Sequence, residues 1–358
     1  MSSWWRTAFG EEELARIAAA IECEHISQGP LVEAFEQALA DYLGVPHVIA
    51  TTSGSMALLM AMIAHGVGPG DEVIVPNRTW IATAHAPHLL GAKVILADVE
   101  ADKPLLDPAA LETLIGPRTK AIIPVHVNGR SAQMRTINRI AHSHGVAVIE
   151  DAAQAFGSRN EDGLLGTQSS VGCFSLSVTK IISTGQGGYL ATRDDTLAQR
   201  LRRLRTHGVE NVQFATWEHF GFNFRFTDIQ AAIGQAQLGR MPERIDHLQA
   251  MYRTYQAGLA SNERVHLTKV NIDEGEIPVY TEVLCAERQS LMDFLRAKGV
   301  DSRPFYPDLD TASYFGKQGR FTHSRIYQDQ GIYLPSGPTQ SPSHVARTLE
   351  LIQTWSQR

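Results

Sequence analysis

The sequence predicts an α/β fold in which a mostly parallel sheet of seven strands is covered by helices on both faces. Seven short runs rich in Val, Ile and Ala support this prediction, at residues 47–51, 71–76, 92–98, 120–127, 146–152, 173–177 and 188–192. Most of these runs are too uniformly apolar for half-exposed strands, and strands buried in a parallel sheet have this composition. Helical patterns at residues 55–65 and 132–144 fall between the strands, as in a covered α/β sheet.

Further helices are predicted on both sides of this region. Residues 31–43 place Leu or Phe at every fourth position, which is typical of an amphipathic helix. Beyond the last strand, either Asp194 or Asp195 can cap a helix. The pattern from residue 227 to about residue 260 is helical almost throughout, and Pro242 predicts a break or kink within it.

The remainder of the chain predicts a small α+β domain. A strand signal at residues 279–284 precedes a helical pattern at 288–298, and Ser341 is placed to cap a closing helix. We therefore predict two domains: residues 1–240 form a large α/β domain with an N-terminal segment, and residues 241–358 form the smaller domain.

Composition excludes several classes of protein. The 358 residues include 32 Lys and Arg against 38 Asp and Glu, so the net charge of -6 gives no reason to expect a nucleic acid partner. The three cysteines are too few and too scattered for a disulfide framework or a closed zinc site. We expect them to be reduced thiols, which indicates a cytoplasmic protein. No apolar run is long enough to span a membrane, so we expect no membrane association. We expect no metal site either, because the cysteines cannot form one.

An acidic pair follows one of the buried strands. Glu150 and Asp151 stand where residues 146–149 should emerge from the sheet. Open α/β sheets bind ligands at the carboxyl ends of their strands, so a carboxylate here is a candidate for function. Asp151 can equally cap the next turn, and this segment alone does not separate the two interpretations.

A lysine and a glycine-rich stretch follow the next strand. Lys180 comes 29 residues after Asp151 and precedes Gly185-Gln186-Gly187-Gly188. A lysine that is partly removed from water at the end of a buried strand can attack a carbonyl as a neutral amine, which makes Lys180 a candidate for Schiff-base chemistry. An ordinary surface lysine is the alternative, and the glycines alone indicate only close backbone packing.

The first strand of the sheet ends in a possible phosphate site. Residues 51–58 pass from a strand through Gly54 into an apolar helix, and Ser53 and Ser55 lie at its start. Free N–H groups and hydroxyls at a helix start bind phosphate, although capping alone explains one of the serines. An anion site, a carboxylate and a lysine at one sheet edge are together what pyridoxal phosphate requires.

The sequence resembles the DegT/DnrJ/EryC1/StrS family of sugar aminotransferases, which are fold-type I pyridoxal-phosphate enzymes. The resemblance runs from about residue 28 to the closing helix. The matching stretches, in chain order, are residues 52–58, 76–83, 124–126, 150–155, 174–188, 221–225 and 231–232. The resemblance implies that the sheet is that of a fold-type I transferase and that the cofactor is pyridoxal 5′-phosphate.

It also implies roles for the residues around the cofactor ring. Lys180 would form an imine with the cofactor, and Asp151 would pair with the ring nitrogen. Gln154 would lie near the phenolic oxygen of the ring, and Trp80 would stack on the ring. A core indole is the alternative for Trp80, because tryptophan packs well in any apolar environment.

The resemblance further implies a phosphate site that two subunits share. Ser175, Gly54 and the amides of Ser55 and Met56 would hold the phosphate. In relatives, the asparagine that matches Asn223 reaches the phosphate from the neighbouring subunit. We therefore expect a homodimer with shared active sites.

Two substrates are implied as well. The amino donor would be L-glutamate, and the acceptor would be a nucleotide-linked 3- or 4-keto-6-deoxyhexose, used in two half-reactions of a ping-pong mechanism. His126 would contact cofactor or substrate, and Arg303 suits a diphosphate. A hydrogen-bonded structural histidine and an ordinary surface arginine are the alternatives.

Two other functions remain open on this scaffold. Related sugar dehydratases carry histidine in place of the lysine, so Lys180 favours transamination over a dehydratase or lyase reaction. A non-catalytic regulatory protein that binds pyridoxal phosphate is the alternative from a different class, because a fold does not guarantee an activity. Gln186 stands where the family usually has Glu, and this departure bears on the substrate more than on the chemistry.

Overall fold

A computed structural model gives the fold and describes residues 3–210, 213 and 215–358. The helices are α1 (Glu11–Glu22), α2 (Pro30–Leu43), α3 (Gly54–Ala64), α4 (Ala82–Leu89), α5 (Pro108–Leu114), α6 (Met134–Ser143), α7 (Asp195–Arg205), α8 (Asp228–Gly239), α9 (Met241–Leu259), α10 (Arg288–Ala297), α11 (Thr322–Gln330) and α12 (Pro342–Ser356). The strands are β1 (His47–Thr51), β2 (Glu72–Pro76), β3 (Lys93–Ala97), β4 (Thr119–Ile122), β5 (Ala147–Asp151), β6 (Arg159–Asn160), β7 (Gly163–Leu164), β8 (Val171–Ser175), β9 (Gly188–Thr192), β10 (His266–Leu267), β11 (Thr281–Leu284), β12 (Arg303–Pro304) and β13 (Gly331–Leu334).

The large sheet contains the seven predicted strands, in the order β1-β9-β8-β5-β4-β2-β3. Neighbouring pairs from β8 to β3 are parallel, and only β9 runs antiparallel to both of its neighbours. The prediction of a mostly parallel seven-stranded sheet is therefore confirmed. The strand predicted at 120–127 ends earlier, at Ile122, because Pro124 has no N–H group to continue the ladder.

The helices around this sheet also match the sequence patterns. Asp194 is the residue that caps α7, since its carboxylate accepts a hydrogen bond from the amide of Leu197 at 2.9 Å. The long helical stretch is broken between α8 and α9, and Pro242 lies in the first turn of α9, where a missing N–H costs no hydrogen bond. The hydroxyl of Ser341 caps α12 as predicted.

The C-terminal part forms a second, smaller sheet. Its four strands are antiparallel, in the order β10-β11-β13-β12. One hydrophobic cluster connects the two parts of the chain, and it contains Phe35 of α2, Tyr255 of α9 and Trp355 of α12. The boundary between residues 240 and 241 stays a prediction.

Two further features bear on the class of protein. Cys23, Cys173 and Cys285 all carry free thiols. Within residues 3–210, 213 and 215–358, no helix combines the length and the apolar character that a bilayer crossing needs, and no three metal-ligating side chains gather into one group.

The contact between α2 and α8 yields a test of the fold. Gly234 of α8 lies against Phe35, and a Cβ atom there would approach the ring carbons to 2.5 Å. We expect Gly234→Ala to lower the free energy of unfolding by roughly 1–3 kcal/mol, because the ring cannot move within a filled core. Chemical denaturation measures the change.

Gly239 is the matched control in the same helix. A Cβ atom added there meets nothing within 4 Å. Gly239→Ala should leave the stability unchanged or raise it by up to about 1 kcal/mol through helix propensity. A Gly234→Ala protein as stable as the control would contradict the packing of α2 against α8.

Candidate active site

A cavity of about 500 Å³ opens at the carboxyl ends of β5 and β8. This is the edge of an α/β sheet where ligands bind. The predicted residues that line it are Gly54, Ser55, Trp80, Asp151, Gln154, Ser175, Lys180 and Arg303. Met56, His126 and Asn223 are not among its lining residues.

Asp151 ends β5 and forms part of the cavity floor. It is 4% exposed, and its carboxylate accepts hydrogen bonds from the hydroxyl of Thr83 at 2.8 Å and the amide of Ala153 at 3.1 Å. Burial raises the pKa of Asp151 above its ordinary value, although the hydrogen bond from Thr83 opposes the shift. No cationic side chain of the described residues lies within ion-pair distance of Asp151, although the charges of Lys180 and His126 oppose the rise of its pKa from farther away. This carboxylate can therefore neutralise a positive charge brought by a ligand.

The turn that carries Lys180 follows β8 and is held by two aromatic side chains. The indole of Trp5 donates a hydrogen bond to the carbonyl of Val178 at 2.9 Å, and the hydroxyl of Tyr280 donates one to the carbonyl of Thr179 at 2.9 Å. The Lys180 amine itself has neither a hydrogen bond nor an ion pair with any residue in the described ranges. The backbone is thus fixed while the amine remains available to a ligand.

The loop beyond Lys180 rests on a buried polar network. The guanidinium of Arg244 donates to the carbonyl of Ile181 at 2.6 Å and to the side chain of Gln237 at 2.7 Å. The same Gln237 oxygen accepts from the amide of Ser183 at 3.2 Å. Burial lowers the pKa of Arg244 to about 10, which still leaves the group charged at neutral pH.

Closely packed backbone forms the candidate phosphate site. A Cβ atom on Gly54 would come within 2.8 Å of the Ser175 side chain, and one on Gly188 would come within 2.5 Å of the Gly54 amide nitrogen. Only glycine therefore fits at either position, and the N-terminus of α3 opens onto the cavity at Gly54 and Ser55. This helix start attracts an anion.

Capping accounts for part of the predicted phosphate site. The hydroxyl of Ser53 accepts a hydrogen bond from the amide of Met56 at 3.2 Å, so Ser53 is the N-cap of α3. The Met56 amide already has a partner and does not line the cavity. The amide of Ser55 and the hydroxyl of Ser175 are the predicted phosphate donors that do line it.

Trp80 and Gln154 lie on the cavity wall. Trp80 is 55% exposed and meets the ring of Tyr306 edge to face, at 5.6 Å between ring centres. It is therefore not the core indole considered as an alternative. The oxygen of Gln154 accepts from the amide of Asn128 at 2.8 Å, which leaves its NH₂ group to donate to a ligand.

His126 is a structural residue. Its side chain is fully buried, its Nδ1 accepts from the amide of Ala132 at 3.2 Å, and its Nε2 donates to Glu150 at 2.9 Å. The expected contact of His126 with cofactor or substrate is corrected, because both ring nitrogens already have protein partners. Glu150 also accepts from the amides of Gly166 and Gln168, so the dyad holds the loop between β7 and β8.

Arg303 and Asn223 occupy different surfaces. Arg303 is exposed at the cavity mouth, and its guanidinium lies 4.9 Å from the centre of the Trp4 ring. Asn223 is exposed elsewhere, where its oxygen accepts from the guanidinium of Arg225 at 3.0 Å. Asn223 thus does not serve the cavity of its own chain.

Four aromatic residues of the cavity wall escape prediction from the sequence. They are Trp4, Tyr280, Tyr306 and Tyr333. They come from four separate parts of the chain and belong to no local motif. The only sequence signal is the doublet Trp4-Trp5 in a short segment before the first helix, where two large aromatic side chains need a surface to cover.

The residues present fit pyridoxal phosphate. The buried Asp151 carboxylate without an ion pair suits a protonated ring nitrogen, and the unbonded Lys180 amine suits an aldehyde carbon. The start of α3 at Gly54 and Ser55, with the Ser175 side chain beside it on the cavity lining, suits a phosphate. Trp80 is exposed on the cavity lining, where it would be available to stack on the pyridine.

Comparison with known proteins shows the family to which the chain is similar. The model of the DegT/DnrJ/EryC1/StrS aminotransferase family matches residues 7–353. The chain is 41% identical over 288 residues to GDP-perosamine synthase of Caulobacter vibrioides, with 78% of each chain covered. It is 34% identical to dTDP-3-amino-3,4,6-trideoxy-alpha-D-glucose transaminase of Streptomyces venezuelae, over 96% of this chain and 92% of that protein.

A solved structure gives the same result for the fold. DesV of S. venezuelae, determined in complex with a ketimine intermediate, is 32% identical and superimposes with a TM-score of 0.93. The match covers 97% of this chain and 95% of DesV. The two chains therefore share both the large and the small sheet.

Asp151→Asn tests the role of the buried carboxylate. The substitution keeps the shape but removes the charge, so we expect a folded protein whose turnover falls at least about a hundredfold. Asp162→Asn, in an exposed acidic residue of the β6–β7 hairpin, is the control and should keep its activity. Steady-state turnover and circular dichroism measure the two effects. Near-normal turnover of Asp151→Asn would remove Asp151 from the role.

Proposed function

This chain belongs to the DegT/DnrJ/EryC1/StrS aminotransferase family, and we propose that it moves an amino group from L-glutamate to a nucleotide-linked keto sugar. Its cofactor is pyridoxal 5′-phosphate. The observation that carries the proposal is the meeting, in one cavity, of a buried carboxylate that lacks an ion pair and an amine that lacks a hydrogen bond.

The chemistry of the site divides between the cofactor and the chain. Pyridoxal phosphate, when bound, supplies an electron sink that allows a proton to leave the α-carbon of an amino acid. Asp151 would hold the ring nitrogen in its charged form, and each pKa unit of this bias is worth about 1.4 kcal/mol. Lys180 would hold the cofactor at its aldehyde carbon, and the Lys180 amine would be the group that accepts and returns the proton of the donor's α-carbon.

The names of the relatives support the class of acceptor. Those two relatives are named for GDP-linked and dTDP-linked sugars. We extend this to a 3- or 4-keto-6-deoxyhexose carried on a nucleoside diphosphate, whose amino sugar product enters a surface polysaccharide or a glycosylated natural product. Arg303 at the cavity mouth is placed to bind the diphosphate.

The two alternatives have less support. A dehydratase of this family replaces the lysine by histidine, whereas Lys180 lines the cavity here. A non-catalytic regulatory protein that binds pyridoxal phosphate would not require the Lys180 amine to be free to react. Transamination uses both Asp151 and Lys180, so it accounts for more of the site.

We propose a homodimer with shared active sites. Asn223 lies outside the cavity of its own chain and is flanked by exposed aromatic side chains, of which Trp217 is 78% exposed. Phe220 and Phe222 are exposed as well. Exposed aromatic groups of this kind mark a surface that another chain covers. A second copy would bring Asn223 to the phosphate site.

The three free thiols support a cytoplasmic location, which we propose for the enzyme. A reducing compartment preserves free cysteines. Two of the thiols are buried and one is exposed.

A panel of nucleotide-linked keto sugars tests the function. Purified holoenzyme with L-glutamate should convert at least one 3- or 4-keto-6-deoxyhexose to an amino sugar, detected by mass spectrometry. Glutamate alone should bleach the absorption of the bound cofactor near roughly 420 nm and raise one near roughly 330 nm. A bleached cofactor with no acceptor used contradicts the acceptor class, and consumption of a keto sugar without amine transfer favours the dehydratase.

Mixed dimers test the sharing of the site. Lys180→Ala removes the amine, and Asn223→Asp places a negative charge where a phosphate is expected. A dimer with one subunit of each kind, isolated with two affinity tags, holds one doubly altered site and one intact site. We expect about half of the wild-type activity.

Two results would contradict the shared active site. If Asn223 serves its own subunit, both sites of the mixed dimer are damaged and the activity stays at the level of the two parent variants. A protein that yields no mixed dimer would contradict the shared site altogether.

A further inference from the structure

The N-terminal segment before α1 lies along the small sheet and reaches the cavity. The carbonyl of Trp4 accepts from the amide of Ser336 at 2.7 Å, and the amide of Arg6 donates to the carbonyl of Ser336 at 3.0 Å. The amide of Trp4 donates to the carboxylate of Asp301 at 3.3 Å. We call residues 3–8 the N-terminal strap. These bonds place the Trp4 side chain on the cavity wall.

Trp5 ties the strap to the turn that carries Lys180. Its indole nitrogen donates to the carbonyl of Val178, two residues before the lysine. Its ring lies 5.3 Å from the ring of Tyr280, whose hydroxyl donates to the carbonyl of Thr179. Trp5 is buried, so this bond is shielded from water. The strap is therefore fixed relative to the reacting amine.

Trp4 is the neighbour that positions the guanidinium of Arg303. The Arg303 guanidinium lies 4.9 Å from the centre of the Trp4 ring, a distance at which a cation is attracted to an aromatic face. The Trp4 ring in turn rests on the rings of Tyr280 and Tyr333, at 6.1 and 5.8 Å. The aromatic groups thus form a rigid support.

Arg303 keeps its hydrogen-bond donors for a ligand. The guanidinium forms no ion pair with a carboxylate of the described residues, although Asp301 lies two positions away and bonds to the Trp4 amide instead. A planar guanidinium that is held by a ring face and has free N–H groups matches the geometry of phosphate oxygens. The arrangement selects for an anion at the cavity mouth.

We propose that the N-terminal strap is part of the acceptor site, in which Trp4 is a positioning residue that holds Arg303 for the diphosphate of the nucleotide-linked sugar. This inference rests on the proposed function, since it names the part of the acceptor that the strap serves. Trp5 anchors the strap to the Lys180 turn and so sets the distance between the diphosphate site and the reacting carbon. A strap that only covers the small sheet would have no effect on acceptor recognition.

A double-mutant cycle on the holoenzyme tests the proposal. Trp4→Ala should raise the KM for the acceptor about tenfold, because Arg303 loses its support. The KM for L-glutamate should stay unchanged, since the donor carries no diphosphate. In an Arg303→Ala background, Trp4→Ala should have no further effect on the acceptor KM. Calorimetric titration with GDP, dTDP and UDP should show the same loss of affinity.

Two further variants serve as controls for the Trp4→Ala result. Trp4→Phe retains a ring and the packing, so a smaller rise in the acceptor KM is expected even if Trp4→Ala fails to fold. Phe9→Ala alters another aromatic residue near the strap that is exposed and outside the cavity, and it should leave both KM values unchanged.

The outcomes separate this proposal from the proposed function. A wild-type enzyme that aminates no nucleotide-linked sugar overturns the proposed function itself. If the wild type is active, equal acceptor KM values for wild type, Trp4→Ala and Trp4→Phe overturn the role of Trp4. A Trp4→Ala effect that persists undiminished in the Arg303→Ala background shows that Trp4 does not act through Arg303.

Discussion

The arrangement of the site depends on one constraint: two neighbouring parallel strands, β5 and β8, end at the same edge of the sheet. Asp151 is the last residue of β5 and pairs in register with Cys173 of β8, so the turn after β8 brings Lys180 beside the buried carboxylate. A charge as deeply buried as Asp151 is costly unless a partner of opposite sign is supplied. The protonated ring of pyridoxal phosphate would be such a partner.

Sequence patterns predicted this half of the site because its signals are local. Uniformly apolar runs mark strands buried on both faces, and a polar residue at the end of such a run must lie at the sheet edge. The placement of the carboxylate and the lysine at this edge therefore follows from the strand pattern, whereas their roles are implied by the resemblance to the aminotransferase family. The burial of His126 cannot be predicted from its position in the sequence. It depends on the hydrogen bond to Glu150, whose carboxylate also accepts from two amides of a later loop. In the sequence, a structural histidine at a strand end has the same pattern as one that contacts cofactor or substrate.

The acceptor side of the cavity comes from residues far apart in the chain. Trp4, Tyr280 and Tyr333 meet only because the strap and the small sheet pack together, and aromatic residues leave no spacing that would reveal the contact. The exposed ring of Trp80 meets the ring of Tyr306 edge to face on the same cavity lining. The residues proposed to carry the chemistry thus lie on the large sheet, whereas those of the proposed acceptor site come from the small sheet and the strap.

The covalent link between Lys180 and the cofactor is the most direct test of this account. The protein is reconstituted with pyridoxal phosphate, reduced with borohydride and digested, and the peptides are analysed by mass spectrometry. The account predicts a pyridoxyl label on the peptide that contains Lys180. A label on a different lysine, or no label after full reconstitution, would contradict it.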